Sequence, residues 1–395
     1  MERPLLCSVL PLAWLALLLA DQNPHNYEVL HTLERARMLK VAQQYHEANI
    51  SVDVFYHVSS WQPFWKEVVT EQLHMLDGHQ LVRGRKGALW TYTSKKTTPN
   101  VGSIARKITI LFHGNEEEVR MMKDAVKTCK VDFLHKVSFL QSAAFQRTLF
   151  RDSKPDDRPA IRAAAEKDGA TAGEYPTIEA LHQHCKRQVA GGDNGVVLYI
   201  HNKGACCRKG EAPQSDWRDL MNTVNIEFAS VCLRALYDGY SACGAEYQDM
   251  HFSGNFWWAA CNHVAMLPPL WDPINNAWEA EFFLFNVSKS WEKRDPFGVE
   301  CAYRPFHCRV NHYHNHCPRG KYVGAISSLL ATDVLPFVGY HGEDEPTYQA
   351  TKKVWRDQQC LSTRSTPTQM SEVVPYYSRT DDSRRRHLRD RGILQ

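Results

Sequence analysis

Three features are missing from this 395-residue sequence, and each absence excludes a class of protein. Beyond the N-terminus no apolar stretch approaches the ~20 residues that a membrane-spanning helix requires, which excludes a multi-span membrane protein. The formal net charge is only +3 and part of that excess lies in the C-terminal RRRHLRDR, so the body has no basic face typical of nucleic-acid binders. No internal repeat is present, which argues against a repeat architecture.

The N-terminus has the layout of a secretory leader. Arg3 precedes an apolar run from Leu5 to Ala20, Pro11 interrupts that run, and the small Ala20 stands before Asp21. This pattern predicts a signal peptide over residues 1–20. A short uncleaved signal anchor is the second interpretation, and only then would the protein be held at a membrane. The predicted location is the ER or Golgi lumen, or outside the cell.

Sequons and cysteines fit the same route. Asn49 and Asn286 each begin an Asn-x-Ser sequon, which is glycosylated only in the secretory pathway. Of the 12 cysteines, Cys7 lies in the leader, which leaves 12 − 1 = 11. An odd number in an oxidising lumen predicts disulfides and at least one remaining thiol.

Strand and helix patterns alternate through the first half of the chain. Residues 51–60 alternate apolar side chains like a strand, and an apolar stripe from Trp61 to Leu76 predicts a helix with Ser60 as its cap and Pro63 in its first turn. RKITILFHG, NEEEVRMMKDAVKTC and KVDFLHKVSFL read as strand, helix and strand. This alternation predicts an α/β fold with a mostly parallel sheet flanked by helices.

The middle of the chain continues the alternation after a polar excursion over Arg151–Tyr175. A helix is predicted over 177–189, and Val196–Ile200 is a continuous apolar run typical of a strand buried on both faces. One long helix is predicted from Ser215 or Asp216 to Leu236, with Gly239 as its stop. The predicted divisions are a domain over 45–298, a Cys/His-rich extension over 299–358 and a disordered tail over 359–395.

The first candidate site segment is VVLYIHNKG. Its strand delivers His201, Asn202, Lys203 and Gly204 to the carboxyl end of a parallel sheet, where ligands bind in such folds. A lysine and an amide there could hold an anionic leaving group. The alternative is an exposed turn at the edge of the sheet.

The second candidate segment is HFSGNFWW, in which Phe256, Trp257 and Trp258 follow directly on Gly254 and Asn255. Three adjacent aromatic side chains cannot all face one core, so at least one is expected to line a cleft. Tryptophan faces stack on sugar rings while asparagine and histidine bond their hydroxyls, so we predict a carbohydrate site that also includes His251. The alternative is that the aromatics pack into the core.

A carboxylate follows in WEAEFFLF. Glu281 stands beside Phe282, and a carboxylate in apolar surroundings could act as a general base on an acceptor hydroxyl. For Glu279 a solvated helix face is the alternative.

A Cys/His-rich segment, CAYRPFHCRVNHYHNHC, offers potential zinc ligands, namely Cys301, His307, Cys308, His312, His314, His316 and Cys317. Its spacings match no standard zinc finger, and an oxidising lumen favours disulfides. A metal site is therefore the minor alternative. The adjacent pair Cys206 and Cys207 is ambiguous in the same way, and adjacent cysteines are expected to reach two different partners.

The order of these segments resembles a little-characterised group of glycosyltransferase-like proteins from microbial eukaryotes and bacteria. The elements that carry the resemblance are FYHVSSWQPFWKEVVTEQLHML, VVLYIHNKG, WRDLM, HFSGNFWWA and WEAEFF, which together span roughly residues 51–292. The resemblance implies a GT-A-like fold and transfer of a sugar from a nucleotide-diphosphate donor to an acceptor hydroxyl, with a glycan or glycoprotein as the acceptor.

One feature of that family is missing here. GT-A enzymes commonly hold a divalent metal on the donor diphosphate with Asp-x-Asp, and this chain has no such motif. The expectation is that Lys203, helped by Arg208 or Lys209, neutralises the diphosphate without a metal, although a metal stays open. Glu281 would be the base in an inverting reaction. A non-catalytic secreted carbohydrate-binding protein on the same scaffold is the rival hypothesis.

Overall fold

The computed structural model describes residues 25–83, 90–142, 173–208, 212–248, 251–270, 277–285, 302–303, 316–317, 319, 322, 326 and 330. All of them lie in the first of two units, Met1–Gln358 and Gln359–Gln395. The predicted leader, the sequon at Asn286 and the predicted tail lie outside the described residues. So does the predicted excursion as far as Ala172.

The strands of the central sheet are β1 (Ile50–Ser59), β4 (Lys107–His113), β5 (Val137–Ser142), β6 (Asn194–His201), β7 (Ala242–Cys243), β10 (Trp257–Ala260) and β11 (Ala302–Tyr303). In the described part of the chain they lie side by side in the order β11-β7-β10-β6-β1-β4-β5. Neighbours are parallel except β10, which is antiparallel to β6 and β7. Two separate hairpins pair β2 (His79–Arg83) with β3 (Trp90–Lys96) and β8 (Tyr247–Gln248) with β9 (His251–Phe252).

Helices connect and cover these strands. They are α1 (His25–Glu47), α2 (Trp65–Leu76), α3 (Val101–Ile104), α4 (Glu116–Thr128), α5 (Tyr175–Ala190), α6 (Pro213–Asn222), α7 (Ser230–Tyr237), α8 (Cys261–Met266) and α9 (Ala277–Phe282). Among the described helices, none combines the length and apolar composition needed to cross a bilayer. The predicted mixed α/β fold with a mostly parallel, helix-flanked sheet is confirmed.

The sheet is buried on both faces, as β6 shows. Successive side chains of a strand point to opposite faces. Leu198 and Ile200 therefore join the core on one face, while Val197 and Tyr199 join the core on the other. The predicted doubly buried strand is thus confirmed, and it extends from Asn194 to His201.

Several predicted helices are present with different ends. The helix predicted after β1 begins at Trp65, and neither Ser60 nor Pro63 belongs to it. The long helix predicted from Ser215 is interrupted, because a π-helical turn over Thr223–Glu227 separates α6 from α7. A π turn leaves backbone groups for other partners, and the Asn225 carbonyl accepts a hydrogen bond from Trp258 Nε1 at 2.9 Å.

Disulfides join the elements around β10. Cys185 of α5 is bonded to Cys261 of α8, and Cys232 of α7 is bonded to Cys243 of β7. Cys317 is also disulfide-bonded. The free cysteines of the described residues are Cys129, Cys206 and Cys207. The predicted disulfide bonding is confirmed.

The Cys185–Cys261 bond should be a large contributor to stability, because its partners are 76 residues apart in sequence. Cross-linking across a long loop lowers the entropy of the unfolded chain and typically contributes about 2–4 kcal/mol. The double variant Cys185→Ala, Cys261→Ala should lower the free energy of urea unfolding by about that amount. The Cys232–Cys243 bond spans 11 residues and serves as the comparison. An equal or larger loss there would contradict the loop-length argument.

Candidate functional site

Chemistry-bearing residues collect where β1 and β6 end. The chain leaves β1 to build β4 and β5 on one side and returns to place β6 on the other, so the β1/β6 boundary is the topological switch point at which such sheets bind ligands. The register pairs His57 of β1 with His201 of β6. Because β10 is antiparallel to β6, Gly254 and Asn255, which precede β10, lie at this same carboxyl edge.

His201 joins the two predicted site segments. Its Nε2 lies 2.8 Å from the Gly254 carbonyl oxygen, so we place the ring proton on Nε2, and its Nδ1 lies 3.4 Å from a carboxylate oxygen of Glu174. Burial and then the charge of Lys203 lower the pKa of His201 to about 3. The ring is therefore neutral at physiological pH, and both nitrogens face protein groups. His201 therefore holds the two predicted site segments together. It carries no positive charge with which to bind the phosphate groups of a donor.

Asn202 is also occupied by the protein. Its side-chain oxygen accepts from the Ser59 amide at 3.1 Å, and its Nδ2 donates to the Ser59 carbonyl at 2.6 Å. These bonds tie the end of β6 to the end of β1. The fold thus engages the Asn202 oxygen and one of its two Nδ2 hydrogens, and its predicted donor-binding role stays a prediction.

Position 204 requires glycine because of its backbone conformation and its close neighbours. Its φ of +69° lies in the left-handed region, and an added Cβ would meet the Gln214 carbonyl oxygen at 2.9 Å. Its own carbonyl accepts from the buried guanidinium of Arg218. The glycine thus lets the turn after β6 pack closely against α6.

Lys203 places a positive charge at the carboxyl end of β6. Its Nζ lies 3.3 Å from Glu281 Oε1 and 4.5 Å from the ring centre of Trp217, and 17% of its side chain is exposed. The Glu281 side chain is 16% exposed. Burial raises the pKa of Glu281, but the charges of Lys203 and then His251 outweigh it, so the net pKa is lowered. This partly exposed ion pair brings together the predicted donor-binding lysine and the predicted base.

Glu174 is a second carboxylate, which sequence reasoning missed because it closes the polar excursion. It directly precedes α5, and Tyr199 donates to its Oε2 at 2.9 Å. Asn255 Nδ2 donates to the same oxygen. Burial raises the pKa of Glu174 to about 7, with Lys203 opposing the rise and Glu281 adding to it. The two carboxylates are therefore driven to opposite pKa shifts, a pattern typical of acid/base pairs.

The raised pKa of Glu174 predicts a pH-dependent stability. The unfolded carboxyl has an ordinary pKa near 4.5, so folding favours its protonated form. This contribution is full below about pH 4.5 and is lost as the pH rises through about 7, a loss of about 3 kcal/mol. Urea unfolding at pH 5 and pH 7.5 should show that Glu174→Gln flattens this fall. The exposed Glu67→Gln is the control, and parallel profiles for wild type and Glu174→Gln would contradict the shift.

The aromatic half of the predicted site is wrong. Trp257 is 1% and Trp258 is 0% exposed, and Phe256 is fully buried. The three rings do not face one core, as expected, but they are divided between two: Phe256 and Trp258 lie in the core on one face and Trp257 in the core on the other. A sheet covered on both faces buries all three without a cleft. These indoles have no free surface for stacking on a sugar.

The polar groups of that segment are likewise committed to the fold. Asn255 is buried, its backbone φ is +59°, and its side-chain oxygen accepts from Trp257 Nε1 at 2.8 Å. Its predicted role as an acceptor-binding amide is therefore wrong in this conformation. His251 is half-buried with its ring centre 4.8 Å from that of Phe282, and it adds positive potential at Glu281.

An exposed tryptophan does stand at the carboxyl edge, at a different position. Trp61 follows the end of β1 and is 78% exposed. Ser59, two residues earlier, is bonded to Asn202, and the Phe64 amide donates to the Ala205 carbonyl at 2.9 Å. The segment carrying Trp61 is thus attached at both ends to the loop carrying Lys203. In the sequence Trp61 belonged to the apolar stripe of a predicted helix, so it was not selected as a site residue.

Metal binding is not supported in the described part of the chain. No group of three His, Cys, Asp or Glu side chains there could hold a metal ion. His316 Nδ1 lies 2.8 Å from Asp216 Oδ2 and Cys317 is disulfide-bonded. The remaining predicted ligands lie outside the described residues, namely Cys301, His307, Cys308, His312 and His314.

A second buried charge cluster lies under α6 and α7. Arg319 pairs with Asp219 and Glu227, and Tyr322 donates to Asp219 Oδ2 at 2.7 Å. A small cavity is lined by Glu227, His31, Glu34 and Asn100 among others, and Asn100 caps α3, which precedes β4 at the opposite end of the sheet. Arg319 contacts both carboxylates within the fold, so we regard this cluster as structural.

The fold and the edge cluster define a mixed α/β protein with its polar centre at the carboxyl end of a mostly parallel sheet. A family model described as Domain of unknown function (DUF8361) matches residues 151–275. That stretch includes Glu174, His201, Lys203 and Asn255. No curated protein and no solved structure matches the chain.

Proposed function

We propose that this protein is a GT-A-like glycosyltransferase that binds a nucleotide-diphosphate sugar at the carboxyl edge of β1 and β6 and transfers the sugar to an acceptor hydroxyl. The observation that carries the proposal is the Lys203–Glu281 ion pair. It places a partly exposed cation next to a carboxylate at the switch point of the sheet. The order of sequence motifs that resembles glycosyltransferase-like proteins supports the same reaction class.

Lys203 would stabilise the departing diphosphate. An ammonium group is a donor with three N–H groups, so Lys203 can donate to a phosphate oxygen while it stays near Glu281. Charge that develops on the leaving phosphate is stabilised by a cation already in place, which lowers the barrier to transfer. The edge does not fit a divalent metal, because Lys203 itself contacts the carboxylate that would be a ligand.

Glu281 would be the general base. Lys203 holds its pKa low in the free protein. A diphosphate that competes for Lys203 raises the pKa of Glu281, which makes the carboxylate a stronger base when the donor is bound. Glu174, with a pKa of about 7, would take up a proton as the negative diphosphate arrives. The neutral Glu174 then limits charge repulsion at the edge.

Trp61 would supply the flat surface that the GNFWW segment does not. An exposed indole beside the Lys203 loop can stack on the base of the nucleotide or on a sugar ring. Its attachment to the loop through Ser59 and Phe64 keeps that surface next to the proposed phosphate position.

We propose the ER or Golgi lumen, or the cell exterior, as the place of this reaction. The leader pattern, the two described disulfides and the sequon at Asn49 support that location. Asn49 is exposed in the turn between α1 and β1, where a glycan can be attached without disturbing the core.

Incubation with a panel of nucleotide sugars tests the proposal. We expect one donor to be hydrolysed or its sugar transferred, and the matching nucleotide diphosphate to raise the melting temperature. Saturable glycan binding with no donor turnover would favour the rival, a carbohydrate-binding protein on the same scaffold. Neither turnover nor any shift with a nucleotide diphosphate would overturn the enzyme proposal.

A further inference from the structure

The turn after Gly204 contains two adjacent cysteines whose sulfurs are in contact. Cys206 is exposed, Cys207 is half-buried, and their Sγ atoms are 2.7 Å apart. Non-bonded heavy atoms are most favourably placed at roughly 3.5–4 Å, and a disulfide brings two sulfurs to about 2.05 Å. The distance between the two sulfurs is thus shorter than a non-bonded contact and longer than a disulfide bond. Among the described residues neither cysteine is bonded to a different partner.

The backbone before the pair is held in place by separate contacts. The Gly204 carbonyl accepts from Arg218 of α6 and also from the Cys207 amide at 3.4 Å. The Ala205 carbonyl accepts from the Phe64 amide, and Ala205 is fully buried. These bonds hold the backbone from which the two cysteine side chains project.

Other cysteines in the described part of the chain are disulfide-bonded. Cys185 is bonded to Cys261, Cys232 to Cys243, and Cys317 is disulfide-bonded as well. Among the described cysteines, Cys129 is the free thiol outside the pair, and it is buried. The pair is accessible to the same oxidants, while Cys129 is not.

We propose that Cys206 and Cys207 are a redox modification site at which the two residues form a disulfide with each other. One thiolate attacks a low-molecular-weight disulfide, forms a mixed disulfide and expels a thiol. The neighbouring thiolate then attacks the mixed disulfide, closes the Cys206–Cys207 bond and expels the second thiol. The protein loses two protons and two electrons, and the electrons reduce the small disulfide to two thiols.

This bond should be easier to reduce than the Cys185–Cys261 and Cys232–Cys243 bonds. Cα atoms of adjacent residues are about 3.8 Å apart across a trans peptide, whereas disulfides usually join Cα atoms about 4.4–6.8 Å apart. A tight ring at an exposed turn is the labile type of disulfide. The bonds at Cys185 and Cys232 join buried cysteines and should persist at reductant concentrations that open the ring.

Peptide mapping of the full-length protein tests the proposal. The protein is incubated with oxidised glutathione, its free thiols are blocked with N-ethylmaleimide, and it is digested with trypsin. Cleavage after Lys203 and Arg208 releases GACCR, residues 204–208. We expect this peptide without maleimide and lighter than its dithiol form by two hydrogen atoms. Mild reduction before blocking should convert it to the doubly labelled form while the Cys185–Cys261 peptide pair stays joined.

Single variants provide the controls. In Cys206→Ser and in Cys207→Ser the peptide should carry one maleimide or one glutathione, and never the two-hydrogen loss. The buried Cys129 should become labelled only after unfolding. A wild-type GACCR peptide that is doubly labelled after oxidation, or one joined to a different cysteine, would overturn the proposal. Neither outcome depends on glycosyl transfer, so the two proposals fail separately.

Discussion

Replacing Lys203 with methionine is expected to lower the kcat/KM of sugar transfer by about 100- to 1000-fold, the usual cost of removing one group that stabilises developing charge. Methionine keeps much of the length of the side chain and removes its charge. It therefore leaves the leaving diphosphate without its cation and Glu281 without its partner. Steady-state transfer assays with the donor identified in the panel measure the effect, and the exposed Lys127→Met in α4 is the matched control.

A loss of activity through misfolding must be separated from this effect. Lys203→Met leaves a largely buried carboxylate unpaired, which is destabilising in its own right. The double variant Lys203→Met, Glu281→Gln removes both charges, so we expect it to regain melting temperature without regaining transfer. If Lys203→Met retains wild-type kcat/KM, or if the double variant regains activity together with stability, Lys203 has no catalytic role.

Two tryptophan substitutions should have opposite consequences, because one indole is buried and the other exposed. Trp257→Ala removes a ring from the core and is expected to lower the free energy of unfolding by about 3–5 kcal/mol. Trp61→Ala should change stability by no more than about 0.5 kcal/mol, as surface changes do. It should instead weaken binding of the nucleotide sugar about tenfold or more, because stacking on an aromatic ring contributes about 1–3 kcal/mol.

Urea unfolding and calorimetric titration with the nucleotide diphosphate measure the two effects on the same samples. Trp61→Phe keeps a flat ring and should retain most of the affinity that Trp61→Ala loses. If Trp257→Ala is as stable as wild type and binds donor weakly, the burial described here is wrong and the site includes the GNFWW segment after all. If Trp61→Ala binds like wild type, Trp61 has no part in the site.

Much of the scaffold could be predicted because its signals are local. The apolar run of β6 and the alternation of β1 appear in the sequence as they do in the fold. The acidic start of α4 also marks a real helix, which Asn115 caps by accepting from the Glu118 amide at 2.9 Å. Periodicity and capping depend on neighbours in sequence, so sequence reasoning suffices for them.

What could not be predicted depends on distant parts of the chain. Whether Trp257 is buried depends on the pairing of β10 with β6, which sets Trp257 opposite Tyr199, and on the helices that cover the sheet. The π turn at Thr223–Glu227 divides what periodicity showed as one helix. α1 was not predicted, because its buried stripe includes the polar Glu34.

The sequence predicted charged residues of the candidate site correctly as neighbours, whereas it selected the wrong aromatic residues. Lys203 and Glu281 were selected separately from two segments, and the fold brings them within 3.3 Å. Glu174 gave no signal, because a glutamate at the end of a polar stretch looks like any solvated acid. Its pKa is raised only because the fold buries it, and the hydrogen bonds from Tyr199 and Asn255 oppose that rise.

The structure of the protein with bound uridine diphosphate tests the central claim most directly. We predict a phosphate oxygen within hydrogen-bonding distance of Lys203 Nζ at the ends of β1 and β6, with the uracil ring against the Trp61 indole. A diphosphate bound elsewhere, with Lys203 still paired to Glu281 as in the free protein, would contradict the claim that this edge is a nucleotide-sugar site.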